Sequence, residues 1–455
     1  MIEVISHNTP EQVLIDQLGR FADNPAGEYT FAVEYRFQQY FLHNKPEIVL
    51  LAIFRLVDNG CGGVTIFAGV SDQVGRAKTL IKDGKSVGVL SEQLQFPMLN
   101  LSGPILLSPL SIAKPWGQEI WYTGIEERGQ SSVTDGSFCT PLSWWLSVAG
   151  QHQAADKQQS INLLKILDPL PEAVYGDLYF ELHEQKQEVY VVTHVDRDAW
   201  PDGVGGICFG FDQKIRAQHS DDESFRAAYL SAVQGYEAVR REIDSIFDRK
   251  REQKNIRLDA PLSAAQLKIW HAELPEELQR RELVQRHAMN RFMALKPLRV
   301  GDVVKVPCFR PHALQHGVRT VEFQTPVYER KILSFAQKVL TQPNWDTVES
   351  LNLMTLDEPK SNALEVVDAT ENHCLERVVS FDDFQVFRLT LKEGANWSVP
   401  ATGEYALLMS VSGAVACGQQ NLAVEQALFL PACRGDISVS TMALGDAVLL
   451  LAEPC

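Results

Sequence analysis

Basic residues are scarce in this 455-residue sequence relative to acidic ones. It has 42 lysines and arginines against 58 aspartates and glutamates, which gives a formal net charge of −16. Nucleic acid is therefore not an expected partner, because binding to it depends on a basic surface. A small anionic ligand would need a local cluster of lysine and arginine to offset the overall negative charge.

Long apolar runs, a leader-like start and paired cysteines are also missing. No apolar run reaches the roughly 18 residues of a membrane-spanning helix, and MIEVISHNTPEQ at the start has no basic segment before an apolar core. We therefore expect no membrane partner and no secretory signal. The eight cysteines form no CxxC pair, which excludes a zinc knuckle or a disulfide framework. We expect reduced, mostly buried thiols and a cytoplasmic location.

The stretch from Gly176 to Asp196 carries the strongest local pattern. Apolar residues alternate with polar ones from 178 to 183, so Glu181 and His183 are predicted to project from the same face of one strand. Residues 184–187 are polar, and a second strand rich in branched residues begins at Glu188. We expect a hairpin that returns Glu188 to the side of Glu181 and His183.

Two carboxylates and an imidazole on one sheet face are costly unless a cation lies among them. Histidine nitrogen and carboxylate oxygen suit Zn²⁺ and neighbouring divalent metals. A fourth ligand is offered by His312, which follows a valine-rich strand and a turn bounded by prolines. His194 lies farther along the strand that starts at Glu188 and is a candidate to support a ligand from outside.

These motifs resemble those of a known family. The spacing E-x-H-x4-E, followed much later by V-P-x3-P-H-A-L, is similar to the two metal motifs of a cupin barrel, and more narrowly to type I mannose-6-phosphate isomerases. The resemblance implies the metal ligands Glu181, His183, Glu188 and His312, and it places Lys186 on the active-site lysine. Two features depart from the family: Glu181 replaces a glutamine, and only four residues separate His183 from Glu188.

Two further segments extend the resemblance. Pro115-Trp116-Gly117 resembles a segment near the start of the isomerase barrel, where the tryptophan either walls a sugar pocket or packs in the core. Glu322 and Arg330 resemble a glutamate–arginine pair implicated in catalysis, although their spacing is two residues shorter than in the family. Arg319 and Lys331 remain alternatives to Arg330.

The resemblance implies a mainly β fold with an α insertion. We expect two cupin barrels of the β-barrel or jelly-roll type, a helical insertion and an extra N-terminal α/β domain of unknown role. The C-terminal barrel is expected to be metal-free. The predicted segments are residues 1–103 for the N-terminal domain, 104–211 and 298–375 for the metal-bearing barrel, 212–297 for the insertion and 376–455 for the C-terminal barrel.

Helix signals mark the insertion. Ser220 and Glu223 have the spacing of a capping box, Ser263 and Gln266 begin a second helix, and Pro275 begins a third that extends through Met293. Apolar residues recur at intervals of three and four after the first signal, which predicts an amphipathic helix. The residues of this apolar face are Phe225, Tyr229, Val233, Tyr236, Val239, Ile243 and Ile246.

The chemistry that the resemblance implies is aldose–ketose isomerisation, which interconverts mannose 6-phosphate and fructose 6-phosphate through an enediolate. Zn²⁺ or another divalent metal would stabilise the enediolate charge. Lys186, Glu322 and Arg330 are the candidate catalytic groups, and Trp116, Lys186 and Arg330 are the candidate substrate contacts. Alternatives are an isomerase of another sugar or uronate, and a sugar-binding cupin regulator without catalysis. The sequence leaves the oligomeric state undetermined.

Overall fold

The computed structural model describes residues 2–23, 27–60, 63–149, 161–358, 363–442 and 444–455. Strands dominate these ranges: β1 Glu3–Ser6, β2 Glu28–Gln38, β3 Glu47–Asp58, β4 Val64–Ser71, β5 Leu99–Asn100, β6 Ile105–Ser108, β7 Leu110–Lys114, β8 Gly117–Trp121, β9 Ile125–Glu126, β10 Gly129–Gln130, β11 Ser132–Thr134, β12 Cys139–Pro141, β13 Leu163–Pro169, β14 Phe180–Leu182, β15 Glu188–Val195, β16 Gly205–Phe211, β17 Met293–Leu298, β18 Val303–Val306, β19 His312–Leu314, β20 Val318–Gln324, β21 Lys331–Ser334, β22 Glu365–Ala369, β23 His373–Ser380, β24 Phe384–Leu391, β25 Asn396–Val399, β26 Ala406–Ser412, β27 Val415–Cys417, β28 Gln420–Leu422, β29 Ala427–Leu430, β30 Ile437–Thr441 and β31 Ala447–Pro454. The helices are α1 Pro10–Asp23, α2 Val74–Lys82, α3 Val87–Leu94, α4 Leu142–Leu146, α5 Gln213–Arg216, α6 Asp222–Gln253, α7 Ala264–Ala272, α8 Glu276–Asn290 and α9 Thr347–Ser350. Among the residues described, no helix combines the length and the apolar character needed to span a membrane.

The chain divides into two compact units. The first comprises residues 1–110, 121–164 and 364–455, and the second comprises residues 111–120 and 165–363. Each unit therefore draws on segments that are distant in sequence. The second unit contains every residue predicted to form the metal site.

The first unit contains a five-stranded sheet of order β1-β2-β3-β4-β5 and a nine-stranded sheet of order β12-β11-β6-β29-β26-β31-β24-β23-β22. In the nine-stranded sheet, β6 pairs antiparallel with β29, so residues 105–141 share a sheet with the C-terminal strands. A four-stranded sheet of order β25-β30-β27-β28 accompanies it. Leu408, Leu428 and Leu449 are fully buried in the apolar cluster of these C-terminal strands.

The second unit contains a six-stranded sheet of order β18-β15-β20-β13-β8-β7 and a five-stranded sheet of order β17-β16-β19-β14-β21. One apolar cluster includes residues from both sheets, such as Tyr190, Val306, Leu182 and Ile207. The predicted hairpin is wrong, because β14 and β15 lie in different sheets. The chain crosses from the five-stranded to the six-stranded sheet after β14 and returns after β15; it crosses again after β17 and returns between β18 and β19.

The helical insertion forms α5 to α8. The first long helix is capped one residue later than predicted: Asp221, not Ser220, accepts from the backbone of Ser224, whose side chain completes the capping box. The cap at Ser263 is confirmed by its hydrogen bond from the backbone of Gln266. The third helix ends at Asn290 rather than Met293. Of the seven apolar residues predicted to face the core in α6, all are buried except the half-buried Ile246.

The expectation of mostly buried thiols is wrong for the cysteines that the structure describes. All seven are free, but only Cys417 is buried. Cys208, Cys308 and Cys374 are half-buried, and the other three are exposed. Cysteine therefore contributes little to the core in the described ranges.

Gly117 provides a test of the fold, because its backbone has φ of +146° and an added Cβ would meet the carbonyl oxygen of Asp168. The neighbouring Trp116 carbonyl accepts a hydrogen bond from the backbone N–H of Leu170. This bond holds the backbone at Gly117 close to the end of β13, so the chain cannot easily move away to make room for a Cβ. We expect Gly117→Ala to lower the unfolding temperature of the second unit by about 5 °C or more in calorimetry. Gly75→Ala is the control, since its Cβ meets open space in α2. Equal unfolding temperatures for both variants and the wild type would contradict the strain at Gly117.

Candidate metal centre

Two of the crossings between the sheets, from β14 to β15 and from β18 to β19, bring four candidate side chains together in the second unit. Glu181 lies in β14 and His183 directly follows that strand, while Glu188 begins β15 and His312 begins β19. Glu181 is opposite His312 in the five-stranded sheet, and Glu188 is opposite Val306, the last residue of β18. The two crossings therefore lie side by side, with β14 next to β19 and β15 next to β18. This brings Glu188 and His312, 124 positions apart in sequence, into contact.

The distances confirm that the side chains converge. His183 Nε2 lies 3.5 Å from Glu188 Oε1 and 3.8 Å from Glu181 Oε1. His312 Nε2 lies 3.1 Å from Glu188 Oε2. Glu181, His183 and His312 each offer one ligand atom within 4.8 Å of the others. Glu188 lies outside that group of three, but its two oxygens contact both imidazoles.

Backbone carbonyls fix the orientation of both imidazoles. His183 Nδ1 lies 3.0 Å from the carbonyl oxygen of Glu329, and His312 Nδ1 lies 3.0 Å from that of Arg310. A carbonyl oxygen can only accept, so each Nδ1 carries a proton, and Nε2 of each ring faces the cluster. This is the arrangement in which a histidine binds a metal through Nε2.

The resulting cluster has more acceptors than donors. When Nε2 carries no proton, His312 Nε2 and Glu188 Oε2 are both acceptors, although they lie 3.1 Å apart. His183 Nε2 and Glu181 Oε2 are buried and have no hydrogen-bond partner. A proton on His312 would satisfy the first contact, but it would leave the other two atoms without a donor. Burial, aided by the charge of Lys186, lowers the pKa of His183, so this imidazole resists protonation.

A divalent cation fits this set of nitrogen and oxygen acceptors. Such an ion supplies positive charge to several lone pairs at once, and mixed histidine and carboxylate ligands suit Zn²⁺ and related metals. The residues that would hold it are Glu181, His183, Glu188 and His312. The excess of acceptors, rather than the motif alone, supports this assignment.

Glu188 remains ionised in spite of its burial. Burial favours the neutral acid, but Lys186 and His183 outweigh that effect and hold the pKa of Glu188 well below its usual range. Lys186 Nζ lies 2.6 Å from Glu188 Oε1, and the Tyr190 hydroxyl donates to Oε2 over 2.7 Å. The only described member of the four with substantial exposure is Glu181, whose side chain is 17% exposed.

A row of buried charges continues from Glu188 across the six-stranded sheet. Lys165 on β13 lies 3.3 Å from Glu322 on β20 and 3.8 Å from Glu119 on β8, and Glu119 pairs with Lys114 at 3.0 Å. Burial and the nearby Glu188 raise the pKa of Glu322 well above its usual value. Burial disfavours the charge of Lys165, but Glu119 and Glu322 outweigh it and raise the pKa of Lys165.

Lys165 was missed in the sequence, although a signal was available. It is the single charged residue in the apolar run Leu163-Leu-Lys-Ile-Leu167. A lysine is rarely buried unless it is paired, so a lysine on a fully buried strand indicates acidic partners on neighbouring strands. Those partners are Glu119 and Glu322.

Glu329 was also missed, and no local pattern points to it. Its Oε1 accepts the backbone N–H groups of Glu184, Gln185 and Lys186 over 2.8, 3.0 and 3.2 Å. Its backbone carbonyl orients His183 as well. One residue therefore shapes the first passage between the sheets and aligns one imidazole.

Arg330 lies beside this cluster. Its guanidinium is 4.8 Å from the ring centroid of Tyr179, and Nη2 donates to Thr341 Oγ1 over 2.8 Å. Burial opposes the charge, but Glu181 and weaker neighbours outweigh it and raise the pKa of Arg330. Arg330 thus carries a permanent positive charge near Glu181.

The remaining candidates lie elsewhere in the second unit. Arg319 pairs with Asp168 at 2.6 Å, and Lys331 pairs with Glu184 at 3.3 Å. Trp116 is 1% exposed and belongs to the apolar cluster that the two sheets share. His194 is exposed on β15, opposite Arg319.

Comparison with solved structures finds proteins of similar fold. The structure of mannose 6-phosphate isomerase from Bacillus subtilis has a TM-score of 0.52 and 13% sequence identity, and the match covers 77% of this chain and 99% of that one. Two mutants of phosphomannose isomerase from Salmonella typhimurium each have 13% identity, the same coverage and a TM-score of 0.48. No protein-family profile and no curated sequence matches this chain. The first likeness confirms the predicted fold, which is mainly β and of the cupin type with a helical insertion.

Glu329→Ala tests the support that this residue gives to the site. The change removes the acceptor of three backbone N–H groups, so residues 184–186 lose the conformation that places His183 and Glu188 together. We expect Zn²⁺ affinity to fall by about 10- to 100-fold in competition with a chelating dye. The control is Glu349→Ala, because Glu349 is 73% exposed and contacts Lys331 instead. Unchanged affinity in Glu329→Ala would contradict this role.

Proposed function

We propose that this protein is a metal-dependent aldose–ketose isomerase that interconverts mannose 6-phosphate and fructose 6-phosphate. The observation that carries the proposal is the convergence of Glu181, His183, Glu188 and His312, with buried acceptor atoms that lack donors. Zn²⁺ or another divalent metal held by these residues would polarise a substrate oxygen as a Lewis acid. The similarity in fold to a protein named as a mannose 6-phosphate isomerase agrees with this reaction.

Exposure suggests the direction from which the sugar approaches. His183, Glu188 and His312 are at most 2% exposed, whereas Glu181 and Arg330 are half-buried. We therefore place the sugar on the side of Glu181 and Arg330. The planar guanidinium of Arg330 matches the geometry of a phosphate, and its raised pKa keeps it charged.

Two titratable groups beside Glu188 are suited to proton transfer between C1 and C2 of the sugar. Lys186 is in direct contact with Glu188, and Glu322 interacts with it from the neighbouring strand. Lys165 remains charged next to Glu322 and offsets negative charge in this part of the sheet. The chain thus supplies proton-transfer groups and permanent cations around the site.

A coupled assay of mannose 6-phosphate and fructose 6-phosphate tests the reaction. We expect turnover by the wild-type protein loaded with Zn²⁺, and its loss after chelation or in His312→Ala. Turnover should return when Zn²⁺ is added to the stripped wild type but not to the variant. His194→Ala is the matched control, because His194 is exposed and should leave turnover unchanged.

Metal analysis separates the alternatives. One bound metal per chain without turnover would support the metal site but exclude mannose 6-phosphate as the substrate. Other aldoses and uronates would then be assayed. Absence of both turnover and bound metal in the wild type would overturn the catalytic proposal and favour a sugar-binding regulator.

Arg330→Met tests the phosphate contact. Loss of a charged hydrogen bond is worth about 1.5 to 3 kcal/mol, so kcat/KM for mannose 6-phosphate should fall by about 10- to 100-fold. Activity on mannose without a phosphate should change much less. Lys331→Met is the control, since Lys331 pairs with Glu184 and Glu349. An equal loss for mannose and its phosphate would contradict phosphate binding by Arg330.

A further inference from the structure

The helical insertion contains a cavity of about 220 Å³ that includes none of the metal-site residues. It is lined by residues from α6, α7 and α8, together with Val174 and residues of the segment 336–340. The cavity therefore lies entirely within the second unit. Its lining combines apolar side chains with an unusual number of charged ones.

The charges around the cavity do not cancel. Four permanent cations line it, and three of them have a carboxylate partner within 2.9 Å. These pairs are Arg240 with Asp244, Arg286 with Glu282, and Lys338 with Asp248. Four cations against three carboxylates leave one positive charge, on Arg251.

Arg251 is 4% exposed, so its charge is held away from water. Its Nη1 donates to the carbonyl oxygens of Arg257 and Ala260, but its Nε has no hydrogen-bond partner. The nearest carboxylate oxygen, on Asp248, is 3.9 Å away and is already bound by Lys338. A buried guanidinium without a full counter-charge is destabilising, and a bound anion would offset that cost.

The other titratable side chains of the lining, Tyr175 and His271, add no charge at neutral pH; burial raises the pKa of the Tyr175 hydroxyl. Burial lowers the pKa of His271, which keeps this imidazole neutral. Arg257 and Asp259 nearby are exposed and pair with each other. The excess is therefore a single positive charge, which matches a monoanion rather than a phosphate dianion.

Apart from Tyr175 and Gln337, the rest of the lining is apolar. Phe247, Leu262, Leu267 and Leu340 contribute to it. A cavity of about 150 Å³ can hold benzene, so the present volume accommodates a ring with a small substituent. Val174 also lines the cavity with φ of +72°, a conformation that is rare for a β-branched residue and is concentrated at functional sites.

We propose that this cavity binds a small monocarboxylate with an apolar body of about six to eight carbon atoms. The carboxylate lies beside Arg251, and the apolar body packs on Phe247 and Leu267. This site is separate from the proposed isomerase reaction and does not depend on it.

Titration calorimetry of the full chain with benzoate tests the proposal, with benzyl alcohol as the uncharged probe of similar shape. We expect one benzoate per chain and at least about tenfold weaker binding of benzyl alcohol. Leu267→Trp should fill the cavity and abolish benzoate binding. Ile269→Trp is the matched control on the same helix, because Ile269 is 54% exposed and should leave binding unchanged.

Arg251→Gln separates the charge from the shape of the cavity. We expect it to weaken benzoate binding at least about tenfold and to leave benzyl alcohol binding unchanged. Circular dichroism checks that each variant folds, and Leu340→Phe replaces Leu267→Trp if the latter does not. The proposal is overturned if the wild type does not bind benzoate, if a folded cavity-filling variant binds it equally, or if both probes bind alike.

Discussion

The arrangement of the second unit depends on four side chains that direct lone pairs at one another. Glu181, His183, Glu188 and His312 cannot share this volume stably unless positive charge lies among them. Two backbone carbonyls prevent the imidazoles from turning their N–H groups inward. The fold thus keeps buried lone pairs of His183 and Glu181 without donors, an arrangement that a divalent cation would relieve.

The buried charges behind the cluster follow from the same constraint. An ionised Glu188 needs nearby cations, which Lys186 provides directly. Burial and the charge of Glu188 raise the pKa of Glu322, and Lys165 on the neighbouring strand opposes that rise. Lys165 and Glu119 extend this compensation across two more strands. Such buried ion pairs are weak evidence for stability, because apolar side chains of similar volume often stabilise a protein equally well.

Local patterns in the sequence predicted the helices and the convergence of the four candidate side chains, but not the path of the chain between them. Alternation along 178–183 placed Glu181 and His183 together, and the spacing of apolar residues located α6. The polar residues 184–187 were interpreted as a hairpin turn, whereas they connect two sheets. Glu329 determines that conformation from 145 positions away from Glu184, and no periodicity in the sequence reports so distant a contact.

Distant contacts also explain why the apolar periodicity of α6 did not predict its buried polar residues. In α6 the buried face includes Arg240, Asp244 and Arg251 among its apolar residues. Their spacing is helical, so the pattern alone would assign them to the border of a solvent-exposed face. Arg240 and Asp244 pair with each other within the helix, and backbone carbonyls of other segments accept hydrogen bonds from Arg240 and Arg251; those carbonyl partners become apparent only in three dimensions. Charged residues on the buried face of a predicted helix therefore do not argue against the helix. They indicate that polar partners lie next to that face in the interior.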